Sequence, residues 1–153
     1  RYRFAADREE GFREALAARG IAAIDGFITG DPMHEDMGFR RSTDLLKRHE
    51  RPTAFICSSI AQAAGVRRAC QAADLRIGED IALIAHDDRL HEIRAETFDP
   101  PLTTTQSAIG DAGRRIVELL ITMLQNPGAP LPAEIWPVDL VVRRSTPAPP
   151  QRG

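Results

Sequence analysis

The sequence has few of the features that mark disulfide-rich proteins. Its 153 residues include only two cysteines, Cys57 and Cys70. They have neither the spacing of a CxxC motif nor the density of a secreted disulfide scaffold, and both lie among apolar residues. We therefore predict that both cysteines are reduced side chains packed inside the protein.

Surplus positive charge is also missing. The chain carries 20 Lys and Arg against 22 Asp and Glu, which gives a formal net charge of -2 and a sequence pI near 6.1. A domain that binds DNA on its own normally carries an excess of positive charge to neutralise phosphates. This chain by itself is therefore a poor candidate for DNA binding.

Long apolar runs are absent as well. No stretch approaches the roughly 20 apolar residues that cross a bilayer, and the first residues lack the apolar segment of a signal peptide. We expect no contact with a membrane. Because the first residue is not methionine and the start is abrupt, we also expect this chain to be a piece of a longer one.

The first part of the chain is predicted to alternate between helix and strand. Apolar spacing predicts a helix over about residues 8–19, and the short apolar run at 24–29 is typical of a buried strand. A helical pattern through 37–46 stops before Arg51-Pro52, and residues 53–57 form a second apolar run.

The same alternation continues to the end of the chain. We predict a helix at 61–73, a strand at 80–85, a short strand at 102–105, a strongly amphipathic helix at 107–125 and extended structure at 135–142. Strands that alternate with helices of this length predict an α/β fold, with a parallel, doubly wound sheet covered on both faces.

The candidate ligand residues come directly after the predicted strands, because open parallel sheets bind ligands beyond the carboxyl ends of their strands. Those segments are 30–34, 58–60 and 86–88, and Arg8 joins them if its helix follows a strand. A guanidinium donates to two ring oxygens while a carboxylate accepts from hydroxyls, which suits a polyhydroxylated ligand. The simpler interpretation, favoured by spacing alone, is that Asp87 caps a loop and Arg8 forms a surface ion pair.

Two enzymatic interpretations use the same residues. Residues 86–88 with His91 are of types that bind divalent metals, although no second cluster completes a site. Ser58 or Ser59 as a nucleophile needs His86 as its base, and no Gly-x-Ser-x-Gly motif frames either serine. Neither phosphate-binding glycine motif, GxGxxG or GxxxxGK, is present, which disfavours a nucleotide-dependent enzyme.

Six short motifs lie along almost the whole chain in a fixed order. They are Arg8-x-x-Gly11-Phe12-x-x-Ala15-Leu16; Arg51-Pro52-Thr53-Ala54-Phe55 with Ala63-Ala64-Gly65-Val66-x-Arg68-Ala69; Gly78-Glu79-Asp80-Ile81-Ala82-Leu83-Ile84 with Asp87-Asp88; Pro100-Pro101-Leu102-Thr103-Thr104-Thr105; Gly113-Arg114-Arg115-x-Val117-x-Leu119-Leu120; and Leu140-Val141-Val142-Arg143-x-Ser145-Thr146. Together they resemble the effector-binding domain of the LacI/GalR family of bacterial transcription regulators.

The resemblance implies a two-lobed receptor of the type I periplasmic-binding-protein fold. A helix-turn-helix headpiece precedes the receptor, and the protein binds operator DNA through this headpiece as a dimer. A small molecule between the lobes then sets the affinity for DNA, with no enzymatic activity, no cofactor and a cytoplasmic location. Residues 1–153 are expected to form mostly the carboxyl-terminal lobe, one lobe of that fold. The helix at about 107–126 is expected to belong to the missing amino-terminal lobe, and residues 147–153 to form a tail. The DNA-binding headpiece is expected to lie outside this chain.

By this resemblance, Arg8 and Asp87 match the arginine and aspartate that hold the effector, commonly a sugar or a purine. Ser59 stands where the family usually has Asn, Met33 replaces an aromatic residue, and Ser107 replaces Gln. These departures allow a smaller or less polar effector. Two alternatives stay open: a periplasmic sugar-binding protein of a transporter, and an α/β-fold hydrolase.

The resemblance also leads to an expectation of self-association. If the helix at 107–126 belongs to an absent lobe, its apolar stripe is bare, and burying such side chains is worth roughly 1.5–3 kcal/mol each. We expect this helix to pack on a second copy of the chain or to fold back over its own sheet. The helix at 61–73 is a further candidate for a homodimer contact.

Overall fold

A computed structural model describes residues 3–24, 26–89, 93–130 and 132–147. The elements follow one another in the order α1 (Arg3–Ala17), α2 (Glu35–Leu46), β1 (Ala54–Cys57), α3 (Ile60–Ala72), β2 (Ala82–Asp87), a short 3-10 turn (Ala95–Thr97), β3 (Thr103–Gln106), α4 (Ile109–Gln125) and β4 (Asp139–Val141). None of the helices in the described part of the chain is long and apolar enough to cross a bilayer.

The four strands form one sheet in the order β1-β2-β3-β4. β1, β2 and β3 are parallel, with Phe55 opposite Leu83 and His86 opposite Thr105. β4 runs antiparallel to β3, with Leu140 opposite Thr105. The predicted α/β class is confirmed, but the sheet is mixed rather than entirely parallel, because the returning chain pairs its last strand in the opposite direction.

The core lies between the sheet and α3. Leu83 and Ala85 of β2 are fully buried on the face that meets the helix, and they share one core cluster with five residues of α3: Ile60, Ala63, Ala64, Val66 and Cys70. Two glycines let α2 approach α3 closely, since a Cβ at Gly38 would overlap the Gln62 carbonyl and one at Gly65 would overlap the Glu35 carbonyl. Helices packed this tightly hold the start of α3 in place.

The cysteine prediction is confirmed, because both thiols are free and buried. Burial raises the pKa of Cys57 to about 12, and the neighbouring Cys70 adds to that rise. Burial alone raises the pKa of Cys70 to about 11. Thiols that stay protonated in this way are poor nucleophiles and poor metal ligands.

The opposite face of the sheet departs from the prediction that both faces are covered. Ile56 of β1 is 67% exposed and Leu140 of β4 is 58% exposed, and the register places both on that face. α1 buries none of its residues, so it does not cover this face. α4 likewise has no buried residue and leaves an apolar stripe in solvent: Ile109, Ile116, Val117, Leu120, Ile121, Met123 and Leu124.

One predicted strand is wrong. No strand lies in the described residues 21–24 and 26–30. Gly26 has a φ of +79°, and the Phe27 N–H donates to the Ile24 carbonyl at 3.2 Å, so the backbone turns where the apolar run favoured an extended segment. The first helix also begins earlier than predicted, at Arg3, and it ends before Gly20, whose φ of +66° suits a helix terminus.

Candidate functional site

The carboxyl ends of β1, β2 and β3 meet at one edge of the sheet because the three strands are parallel. Ser58 and Ser59 follow β1, and Ser107 follows β3. β2 extends two residues further than predicted, so His86 and Asp87 are its last residues. The structure therefore brings two of the predicted ligand segments, 58–60 and 86–88, to one edge together with Ser107.

The carboxylate of Asp87 is buried there, with only 5% of the residue exposed. Its Oδ1 accepts a hydrogen bond from the Arg89 backbone N–H at 2.8 Å, and its Oδ2 accepts from Gln106 Nε2 at 3.4 Å. The Arg89 guanidinium in turn donates to Gln106 Oε1 at 3.1 Å. Asp87 is thus held in a polar network that satisfies its charge away from bulk water.

Arg8 reaches the same edge from the first helix. Its guanidinium donates to the Ser58 carbonyl at 3.1 Å and lies over the Phe4 ring, 5.4 Å from its centre. The Arg8 side chain is exposed, which leaves donors free to meet a ligand. The prediction that Arg8 stands near the ends of the strands agrees with this placement.

His86 links the end of β2 to the segment between β3 and α4. Its Nδ1 lies 3.0 Å from Thr105 Oγ1, and its Nε2 lies 3.4 Å from Ser107 Oγ. Partial burial lowers the pKa of His86, the charge of Arg8 lowers it further, and the carboxylates of Asp88 and Asp87 oppose that shift. Ser107, predicted as a ligand residue, is therefore a partner of this imidazole.

Ser59 and Met33 form a separate contact at the start of α3. The Ser59 hydroxyl accepts from the Gln62 backbone N–H at 3.3 Å, which confirms the predicted helix cap, and it donates to the Met33 carbonyl at 3.4 Å. The Met33 side chain is exposed. The loop that carries Met33 is thereby tied to the carboxyl end of β1.

These contacts do not support either of the enzymatic interpretations. Among the described residues, no three His, Cys, Asp or Glu side chains are grouped to hold a metal ion, and His91 lies outside the described residues. His86 hydrogen-bonds to the hydroxyls of Thr105 and Ser107, while Ser59 is engaged with Gln62 and Met33. The pairing of His86 with Ser58 or Ser59 that the hydrolase hypothesis needs is not among these contacts.

Sequence reasoning missed Gln106 and Arg89. The predicted strand 102–105 stops one residue short of Gln106, which pairs directly opposite Asp87 in the sheet. Its position beside Asp87 depends on how β2 pairs with β3, which the sequence does not show. Arg89 has a φ of +57°, an uncommon backbone conformation for a residue other than glycine, and nothing in the sequence signals it.

Comparison with known proteins agrees with the fold. Residues 1–146 match the family of periplasmic binding protein-like domains. The HTH-type transcriptional regulator AglR of Rhizobium meliloti (strain 1021) is 43% identical over 147 residues, which are 95% of this chain and 41% of AglR. The ribose operon repressor of Escherichia coli (strain K12) is 34% identical over 122 residues, which are 78% of this chain and 36% of the repressor. This chain spans less than half the length of either relative.

Solved structures give the same result. A regulatory protein of the LacI family from Chloroflexus aggregans superposes with a TM-score of 0.84 at 27% identity, covering 94% of this chain and 51% of that one. A LacI family transcriptional regulator from Enterococcus faecium with bound ribose superposes with a TM-score of 0.80 at 25% identity, covering 94% of this chain and 52% of that one. These relatives are transcription regulators rather than transporter binding proteins or hydrolases. The chain belongs to the family of periplasmic binding protein-like domains and, within it, to the LacI/GalR group of transcription regulators.

Proposed function

We propose that this chain is the small-molecule-sensing part of a DNA-binding transcription regulator, and that the effector binds at the carboxyl edge of the sheet. The observation that carries the proposal is that, in a chain of this family, Arg8 bonds to Ser58 just after β1, Asp87 ends β2 and Ser107 follows β3. Ser59 and Met33 complete the set of proposed effector-binding residues. No metal and no cofactor take part.

The chemistry of these residues favours a polyhydroxylated effector. The exposed guanidinium of Arg8 donates to two oxygens at once, and a carboxylate accepts from neighbouring hydroxyls. Asp87 already accepts from Gln106 Nε2 over a long 3.4 Å contact, and a ligand hydroxyl exchanges readily with such a donor. The ribose-bound regulator and the ribose operon repressor among the relatives support a sugar as the first class to test.

Ser59 and Ser107 narrow the class of effector further. Ser59 and Ser107 each offer one short hydroxyl, and both hydroxyls already have protein partners. A site with short hydroxyls in place of long amides makes fewer bidentate contacts, which favours a smaller or less polar effector. A monosaccharide fits this description better than a longer oligosaccharide.

Operator DNA is contacted through a headpiece outside this chain. The net charge of -2 gives this chain no surplus cations to neutralise phosphates. The relative AglR is named an HTH-type transcriptional regulator, and a helix-turn-helix motif places its second helix in the major groove of DNA. In the intact protein, the effector bridges two lobes and shifts the equilibrium between their orientations, which changes the spacing of the headpieces in a homodimer. The regulator acts in the cytoplasm, where its operator is.

The experiment uses the intact regulator that carries this chain, with the 153-residue chain as control. Selection from random duplexes should return a palindromic operator for the intact regulator, and a panel of monosaccharides, disaccharides and purines should then contain one compound that changes operator affinity. The chain alone should retard no duplex at physiological salt. An intact protein that binds no duplex, or a chain that shifts the operator at submicromolar concentration, would show that the proposal is wrong.

A further inference from the structure

His86 stands where three elements meet at the carboxyl edge of the sheet. It belongs to β2, it lies opposite Thr105 of β3, and its Nε2 faces the Ser107 hydroxyl two residues before α4 begins. We propose that His86 is a positioning residue of the ligand site, which fixes the Ser107 hydroxyl and, through it, the start of α4 on the sheet. This inference rests on the proposed function, because it treats Ser107 as a ligand-binding residue.

The hydrogen bonds of the ring favour a fixed imidazole. A neutral imidazole has one N–H donor and one acceptor nitrogen. The Thr105 hydroxyl lies 3.0 Å from Nδ1 and the Ser107 hydroxyl lies 3.4 Å from Nε2. A hydroxyl can accept from a ring N–H or donate to a ring nitrogen that carries no proton. Both nitrogens are therefore hydrogen-bonded in either neutral tautomer, and the ring cannot turn without losing one partner.

The position of Ser107 gives this contact its importance. The Ser107 carbonyl accepts from the Ile109 N–H at 2.9 Å, so the residue is part of the first turn that leads into α4. α4 buries none of its own side chains against the sheet. The ion pair of Arg115 with Glu134 also ties the middle of the helix to the segment that returns to β4. With so little packing of its side chains, polar contacts such as these fix the direction of α4.

The charges around the ring favour the neutral form. Arg8 faces it from α1, Asp87 and Asp88 are its neighbours in sequence at the end of β2, and Thr105 and Ser107 contribute uncharged hydroxyls. An imidazolium here stands close to the Arg8 guanidinium and loses part of its hydration. Protonation makes both ring nitrogens N–H donors, so the hydroxyls of Thr105 and Ser107 must both accept, and the hydrogen bonds at the start of α4 rearrange as the pH falls.

The test is NMR of the full 153-residue chain, without any ligand. The ring nitrogens of His86 should show the neutral form at neutral pH, and their titration should have its midpoint below that of an unperturbed histidine. The backbone nitrogen shifts of Ser107 and Ile109 should titrate with the same midpoint. Arg8→Gln should move all three midpoints upward together, because it removes the positive charge. A purely structural His86 would leave the Ser107 and Ile109 shifts independent of its protonation.

Hydrogen exchange of the first turn of α4 supplies the second readout. Ser107→Ala removes one hydroxyl without disturbing the core and should speed exchange of these amides about fivefold, as expected for one lost hydrogen bond. His86→Phe should do the same, and adding it to Ser107→Ala should cause no further increase. His86→Gln, which restores a hydrogen-bonding group, should exchange nearly as slowly as the wild type.

Additive effects of the two substitutions, or unchanged exchange in Ser107→Ala, would contradict the inference. If His86→Phe does not fold, Ser107→Ala and the titration decide alone. Because no ligand is present, these results do not depend on the effector. A regulator that fails to respond to any compound would count against the proposed function and would leave the His86–Ser107 contact to be judged on its own measurements.

Discussion

The Ser145 hydroxyl donates a hydrogen bond to the Leu83 carbonyl at 2.6 Å, across 62 residues of sequence. The same oxygen accepts from the Thr103 backbone N–H at 2.7 Å, and the Ser145 carbonyl accepts from the Leu83 N–H at 2.9 Å. Ser145 is completely buried. One side chain thus joins β2 to β3 at the amino end of the sheet, opposite the edge that carries the ligand residues.

We predict that Ser145→Ala lowers the free energy of unfolding by about 3 kcal/mol, because it leaves the Leu83 carbonyl and the Thr103 N–H buried without their partner. Urea denaturation measures the change. Thr122→Ala is the matched control, since the Thr122 hydroxyl is exposed and bonds only to the Glu118 carbonyl of its own helix. The control should change the stability by less than about 0.5 kcal/mol. Equal losses in the two variants would contradict this role of Ser145.

The contact between α2 and α3 gives a second stability prediction. Gly65→Ala should destabilise the chain by about 3 kcal/mol, because the new methyl group overlaps the backbone of Glu35 and Phe39 and forces the helices apart. Gly113→Ala is the control, since a Cβ there meets open space in the middle of α4. It should stabilise the chain by about 0.5–1 kcal/mol through helix propensity alone. Thermal denaturation should therefore move the two midpoints in opposite directions.

Much of the fold can be predicted because its signals are local. The apolar runs at β1 and β2, the Ser59 cap and the spacing of α4 are all visible in a short window of sequence, and the structure confirms each of them. The run at 24–29 has the same local signal, and only the turn at Gly26 shows that it is not a strand. A local pattern cannot reveal whether a neighbouring strand is available for pairing.

The candidate site is less predictable because it depends on register and side-chain direction. Asp87 can be placed at this edge from strand order alone, and Arg8 joins it on the assumption that its helix follows a strand. The partners of Asp87 cannot, since Gln106 becomes its neighbour only through the pairing of β2 with β3. Arg89 is brought to the same network by a backbone conformation that its residue type does not favour.

The exposed stripe of α4 predicts self-association. Ile116 and Leu124 are among its most exposed members, and covering the stripe with a second copy of the chain removes several apolar side chains from water. Light scattering should show a dimer or larger species at high micromolar concentration for the wild type and a monomer for Ile116→Glu. Gln125→Glu adds the same charge on the opposite side of α4 and should leave the association unchanged. A monomeric wild type would show that a second copy does not cover this helix.

The lowered pKa of His86 predicts a specific pH dependence of stability. The unfolded chain binds a proton at this histidine near pH 6.5, whereas the folded chain binds it only at lower pH. The stabilising contribution is therefore complete above about pH 6.5, falls as the pH drops from there toward the folded-state pKa, and does not fall further below it. Urea midpoints between neutral and mildly acidic pH should decline more steeply for the wild type than for His86→Gln. Parallel slopes would contradict a neutral, partly buried imidazole.

The most direct measurement of the central claim is an effector titration of operator binding by the intact regulator. With the compound that the ligand panel identifies, Arg8→Ala and Asp87→Asn should each weaken the effector by more than about tenfold, because each removes one charge-assisted contact worth roughly 1.5–3 kcal/mol. Arg13→Ala is the control, since Arg13 is an exposed partner of Glu9 on the same helix, and its titration should match the wild type. Titration curves for Arg8→Ala and Asp87→Asn that both coincide with the wild type would contradict the placement of the effector at this edge of the sheet.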